Sequence, residues 1–226
     1  PGGGGAYIVA RDNLGELPAQ PAGAALLTDY ILTVAVSVSS GVAQIASAFP
    51  LLHEHRVALA VGFVLFIMMI NLRGVKEAGA AFAVPSYFFI VMMCLTVGTA
   101  LVRYFAGSLG AVVDPPHLET KLLAPITLFL LLHAFSSGTT ALTGVEAISN
   151  GVTAFKEPRS RNAGITLIWM ATILGTLFLG ITYLAGRIGA VPSETETVIS
   201  QLARTSFGGR GGLYLGTIAA TTLILV

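Results

Sequence analysis

Asp29 is the only charged residue in the apolar stretch 22–52, and stepping forward from it by fours reaches Thr33 and Ser37. At 3.6 residues per turn these three oxygen-bearing side chains share one face of a helix, with Tyr30 beside them. A second carboxylate, Glu146, closes the segment SSGTTALTGVE at 136–146, which follows another apolar run and is crowded with glycines and hydroxyls. If 143–146 is helical, Thr143 and Glu146 lie on a common face. Oxygen ligands without thiolates or an imidazole cluster suit a hard cation better than a soft metal. Desolvation favours the neutral form of a carboxylate, so such a residue can also carry a proton. Together these groups would make a site for a cation moving with protons.

Blander readings compete at each position. Asp29 follows Thr28 and could cap a helix beginning at Tyr30, in the headgroup region. Thr33 and Ser37 could simply bond their own helix backbone. Glu146 could be a cap or an interfacial residue. Against these stands a cost of at least about 2.5 kcal/mol for each charge kept within a bilayer, which is why retained charges tend to face a functional cavity. The glycine-broken approach to Glu146 also resembles the discontinuous helices through which many transporters expose backbone groups to cargo.

The remaining chemistry-bearing residues read as structural. His133 could relay protons but is expected to be a neutral packed histidine. His53, Glu54 and His55 read as a solvated loop rather than metal ligands, and no resident metal or cofactor is expected. Cys94, beside Met92 and Met93, is expected to pack against a neighbouring helix. Asn71 marks a helix end, and Trp169 and Tyr183 are packing or interface aromatics. The glycine run Pro1–Gly5 lacks the Lys-Ser/Thr pair of a phosphate-binding loop and reads as a flexible connector.

The elements that position these residues follow from the solvent. A bilayer core needs about 20 apolar helical residues per crossing. Five long stretches meet or approach this, at 22–52, 57–72, 78–102, 122–145 and 162–186, and a sixth occupies 211–226. The second is short enough to need snorkelling flanks, and Pro85 should kink the third. Residues 6–20 read as an interfacial segment. The polar connections fall at 53–56, 73–77, 103–121, 155–161 and 187–210. On one side of the membrane they place Arg11, Arg73, Lys76, Lys156, Arg159 and Arg161. On the other they place Arg56, Arg103, Lys121, Arg187, Arg204 and Arg210. The totals are equal, and only the denser loops of the first set favour it as cytoplasmic.

Composition agrees with membrane crossing. Only 10% of the 226 residues are charged, and the mean hydropathy is +0.83, whereas soluble domains run near a quarter charged. The net charge of +1 is spread without a basic stripe, so nucleic acid is not an expected partner. The single cysteine precludes a disulfide framework. The expected fold class is all-α, a polytopic transmembrane helical bundle, with 1–226 one fragment of a transport domain truncated at both ends. No enzyme motif couples Asp29, His133 and Glu146 to a nucleophile or metal.

The run TGVEAISNG at 143–151, followed by FKEP at 155–158 and by Asn162-Ala163, resembles the APC superfamily of permeases. More narrowly it is similar to that superfamily's KUP/KimA-type potassium uptake branch. Asp29-Tyr30, Thr33 and Ser37 are similar to the third transmembrane helix of that branch, and Thr143 and Glu146 to its sixth. The resemblance implies a LeuT-like inverted-repeat fold with alternating access in a multi-pass protein of the bacterial cytoplasmic membrane. It places this chain from about helix three to the start of helix eight and assigns Arg73, Lys76 and the 156–161 loop to the cytoplasm. It further implies proton coupling, that Asp29, Tyr30, Thr33, Ser37, Thr143 and Glu146 line an ion path, and that Glu146 is the first candidate for coupling protons. The partners would be the lipid bilayer, potassium and protons, and a second copy in a homodimer. The alternative cargo is an amino acid, and a lesser alternative is a membrane-embedded enzyme or a non-transporting subunit.

Overall fold

A computed structural model describes residues 5–72, 75–116, 126–138, 148 and 151–226, with the backbone alone at 75–82. Every regular element among them is a helix, as expected where hydrocarbon offers the backbone no hydrogen-bond partner. In chain order these are α1 (Gly5–Leu14), α2 (Glu16–Ala48), α3 (Arg56–Asn71), α4 (Val75–Phe105), α5 (Leu128–Gly138), α6 (Arg159–Ile188), α7 (Val198–Phe207) and α8 (Gly212–Leu225).

Among the described residues, four segments are long and apolar enough to cross a membrane: Glu16–Ala48, Pro50–Asn71, Ala83–Phe105 and Arg159–Ile188. Their bounds differ instructively from the hydropathy runs. α2 starts at Glu16 and continues through Pro21, so the segment read as interfacial is itself divided between α1 and the first turns of α2. The short second run is lengthened because a 3-10 turn, Pro50–His55, leads directly into α3 and brings the apolar helix to 22 residues. α4 continues through Pro85. α3 ends at Asn71, where a polar side chain follows an unbroken apolar run.

The chain divides into two compact units, residues 1–32 with 120–175 and residues 33–119 with 176–226. In the first, the Tyr7 ring of α1 lies against α2 at Gly23, where a Cβ would stand 3.1 Å from Tyr7 Cδ2. The second is built on α4, α7 and α8. Buried Ala203, Tyr214 and Ile218 form its core, with Ala48 and Phe207 packed against them. Lipid tails are as apolar as leucine, so helices in a membrane associate through close packing and buried polar contacts rather than through hydrophobic burial. Both devices occur here. Buried Thr96 of α4 and Thr217 of α8 bring their hydroxyls within 3.0 Å, and a Cβ at Gly216 would stand 2.9 Å from Met92 Cε.

The connection 187–210, read from sequence as a polar loop, contains the well-formed helix α7. Its start is capped by the Thr197 hydroxyl, which accepts from the Ser200 N–H at 3.2 Å. Its end is closed by Gly208 at φ +74°, a left-handed conformation that glycine adopts without a Cβ penalty.

Gly180 of α6 faces Val97 of α4, and an added Cβ would stand only 2.8 Å from Val97 Cγ1, whereas one at Gly186 meets nothing within 4 Å. Val97 is β-branched and cannot swing aside cheaply. Gly180→Ala is therefore expected to destabilise by about 1–3 kcal/mol despite alanine's better helix propensity. Gly186→Ala should be neutral or slightly stabilising. Unfolding midpoints of the two variants in detergent check the pair.

Candidate functional site

The helix α2 carries all four first-run candidates, Asp29, Tyr30, Thr33 and Ser37. Asp29 lies near the middle of this 33-residue helix, which removes the reading in which it caps a helix start. Thr33 and Ser37 are half-buried. Their hydroxyls differ from others nearby. Thr28 donates to Ala24 O at 2.9 Å, Ser39 to Ala35 O at 2.7 Å and Ser47 to Ala43 O at 2.7 Å, each closing onto its own helix. Thr33 and Ser37 make no hydrogen bond among the described residues. Hydroxyls kept off the backbone retain both lone pairs for another partner. A stripe of such oxygens below a carboxylate can replace part of a cation's hydration shell.

Thr143 and Glu146 lie outside the described residues. What the structure describes is the ground on either side of them. α5 runs to Gly138 through Ser136 and Ser137. Beyond, a 3-10 turn at Val152–Ala154 leads to Phe155, and the Asn162 amide donates to Lys156 O at 2.8 Å, tying the connection to the first turn of α6. Arg159 and Glu157 pair at 3.1 Å, both well exposed, an arrangement that contributes little to stability.

Several minor expectations fall out differently. Cys94 is exposed on α4 rather than packed. His133 is exposed on α5, its ring 6.3 Å from that of Phe129. Glu54 and His55 are exposed, as a solvated segment should be, but within a 3-10 turn rather than a loop, and His53 is half-buried. No cluster of three metal-ligating side chains occurs among the described residues. Tyr183, read as a packing or interface aromatic, donates to the Tyr104 hydroxyl at 3.1 Å and accepts from Arg187 Nη2 at 3.2 Å. The Arg187 guanidinium lies 5.3 Å from the Tyr104 ring centre and 5.2 Å from that of Tyr183, so the ends of α4 and α6 share a cation–π cluster.

Sequence reasoning missed the densest polar assembly, which lies in the second unit. Glu196 is 7% exposed and receives Arg204 through Nε at 2.9 Å and Nη2 at 3.0 Å, a bidentate pair. Ser200 also donates to Glu196, at 2.9 Å, and its hydroxyl meets that of Tyr214 at the same distance. One turn away, the Thr197 N–H donates to Ser47 Oγ at 3.0 Å and its hydroxyl to Gln44 Oε1 at 2.9 Å. Gln201 fastens the preceding strand of chain by donating to Val191 O and accepting from Val191 N–H. The C-terminal end of α2 is thereby bolted to the start of α7. A signal for this existed: Glu196, Ser200 and Arg204 recur every four residues, around a Thr cap at 197 and ahead of a Gly-Gly stop at 208–209.

A model of the amino acid permease family matches residues 1–226. The chain belongs to the amino acid permease family and is part of a multi-pass membrane protein. Over 229 aligned residues it is 50% identical to the potassium transporter KimA of Bacillus subtilis (strain 168), and the alignment takes in 100% of this chain and 37% of that relative. The chain thus spans a little over a third of the curated relative it matches.

The two classes of polar residue should separate by stability. Arg204→Met would strand a buried carboxylate and is expected to cost about 3–5 kcal/mol. Ser47→Ala should cost about 1–3 kcal/mol by orphaning the Thr197 N–H. Thr33→Val and Ser37→Ala, which break no bond among the described residues, should stay within about 0.5 kcal/mol of the parent. Denaturant midpoints of the four variants test this separation.

Proposed function

We propose that the protein containing this chain is a secondary transporter that takes up potassium across the cytoplasmic membrane with protons, and that residues 1–226 form part of its transport domain. The observation that carries this reading is the 50% identity to a potassium transporter, sustained over the whole chain. The uncommitted hydroxyls of Thr33 and Ser37, one and two turns along α2 from Asp29, support an oxygen-lined path for a hard cation. In this reading Asp29, Tyr30 and Thr143 complete the lining. Glu146 binds the ion as carboxylate and carries the coupled proton when neutral. Asp29, His133 and Glu146 take no part in covalent chemistry.

A second reading, proton-coupled uptake of an amino acid, is favoured by the description of the matching family. The two differ in what the site must hold. An α-amino acid needs a cradle for its carboxylate and its ammonium group, whereas potassium needs only converging oxygens.

Expression of the full-length protein in a bacterium stripped of its own potassium uptake systems distinguishes them. Growth in low potassium should be restored by the wild type and lost with Glu146→Gln. Thr33→Val should raise the potassium concentration for half-maximal growth roughly tenfold, the equivalent of one ligand worth ~1.4 kcal/mol. Failure of the wild type to rescue growth, together with amino-acid uptake, overturns the potassium reading. Normal proton-coupled uptake by Glu146→Gln overturns the role given to Glu146.

A further inference from the structure

The second unit holds a cavity of about 400 Å³ between the end of α4, the segment after it and the C-terminal turn of α7. Three arginines, Arg103, Arg204 and Arg210, line it together with Gly110, Gly208 and Gly209, and among the described residues no carboxylate does. Two of the three guanidinium groups are fixed in place: Arg103 by backbone carbonyls, which leave its charge uncompensated, and Arg204 by a carboxylate, which offsets its charge. Arg103 donates through Nη1 to Thr205 O and Ser206 O, both at 2.9 Å, and through Nη2 to Ser108 O at 3.0 Å. Arg204 is held by Glu196 and by the backbone carbonyls of Val113 and Asp114. Arg210 is different. Its nearest acidic oxygen is Glu196 Oε1 at 4.0 Å, beyond hydrogen-bond reach, its side chain is half exposed, and it makes no hydrogen bond among the described residues. Asp114 and Glu196 line the adjoining cavity, which Arg204 and Arg210 also border and Arg103 does not. The result is a pre-positioned pair of guanidinium groups beside a third whose donors are open, around backbone left bare by glycine.

We infer that this cavity binds a phosphate group, held chiefly by Arg210 with the uncompensated charge of Arg103 setting the field. Guanidinium forks match phosphate oxygens in geometry as well as in charge. The surroundings favour the phosphate of an anionic phospholipid over a free ion. Val102 and Phe105, flanking Arg103 at the end of a membrane-crossing helix, are exposed, as is Leu213 just beyond Arg210. The Tyr104–Tyr183–Arg187 cluster occupies the same end of α4, and aromatic and basic residues together mark headgroup depth.

The test uses the full-length protein in neutral detergent at fixed salt, titrated separately with short-chain phosphatidylglycerol, short-chain phosphatidylcholine and inorganic phosphate, with the thermal midpoint as readout. Phosphatidylglycerol should raise the midpoint and phosphatidylcholine should not. Arg210→Gln should raise the half-saturating phosphatidylglycerol concentration roughly tenfold, the loss expected for one charge-assisted contact. Arg210→Lys should lose less, and Arg56→Gln, an arginine of a different cavity, should lose nothing. The unliganded midpoint of each variant reports whether it folds. If inorganic phosphate alone produces the shift with the same dependence on Arg210, the site stands and its ligand is the free ion. Equal responses of Arg210→Gln and wild type, or equal responses to the two lipids, overturn the inference.

Discussion

The interior of a bilayer supplies no hydrogen-bond partner, so every polar group carried into it must be answered by the chain or by something the chain binds. Many hydroxyls among the described residues are answered locally. Thr96 donates to Met92 O, Thr166 to Asn162 O, Thr172 to Ile168 O and Thr221 to Thr217 O, each four residues back along its own helix. Thr33 and Ser37 make no such bond among the described residues, and neither do Ser40 on the same helix, Thr99 on α4 or Thr176 and Thr182 on α6. What sets Thr33 and Ser37 apart from these is their place on the face that carries Asp29.

The same constraint shapes the end of α2. Gln44 and Ser47 are buried, and their partners are Thr197, the cap of α7, and, for the Ser47 carbonyl, the Tyr214 hydroxyl of α8 at 3.5 Å. Glu196 and Arg204 are a buried ion pair, and such pairs seldom add net stability over an apolar replacement. What this one does add is position. By reaching Glu196 and the carbonyls of Val113 and Asp114 together, Arg204 holds two separate connections against one helix. α2 thus combines unspent oxygens near its middle with spent ones at its end.

The fold class was legible because hydropathy over about 20 residues reports membrane crossing directly. The exits of the crossings were less so. The 187–210 connection contains enough charge to read as a loop, yet its charges at Glu196 and Arg204 are mutually satisfied and largely buried, and only the four-residue recurrence of Glu196, Ser200 and Arg204 hinted at a helix. The start of α2 was misplaced because Pro21 and the polar residues before it look like a boundary, although proline is tolerated within a membrane-crossing helix. The candidate site was legible where periodicity sufficed: Asp29, Thr33 and Ser37 fall on one helix because their spacing is a multiple of four. Arg210 was not legible as a binding group, since its environment is made by residues more than a hundred positions away, at Arg103 and Gly110.

Potassium, rather than an amino acid, as the cargo of these oxygens can be read directly from flux. The full-length protein is reconstituted into liposomes carrying an internal pH indicator, and potassium or a mixture of amino acids is added outside. Potassium alone should acidify the lumen as protons enter with it, and acidification should vanish with Glu146→Gln. Acidification driven by amino acids, with potassium inert, would contradict the account.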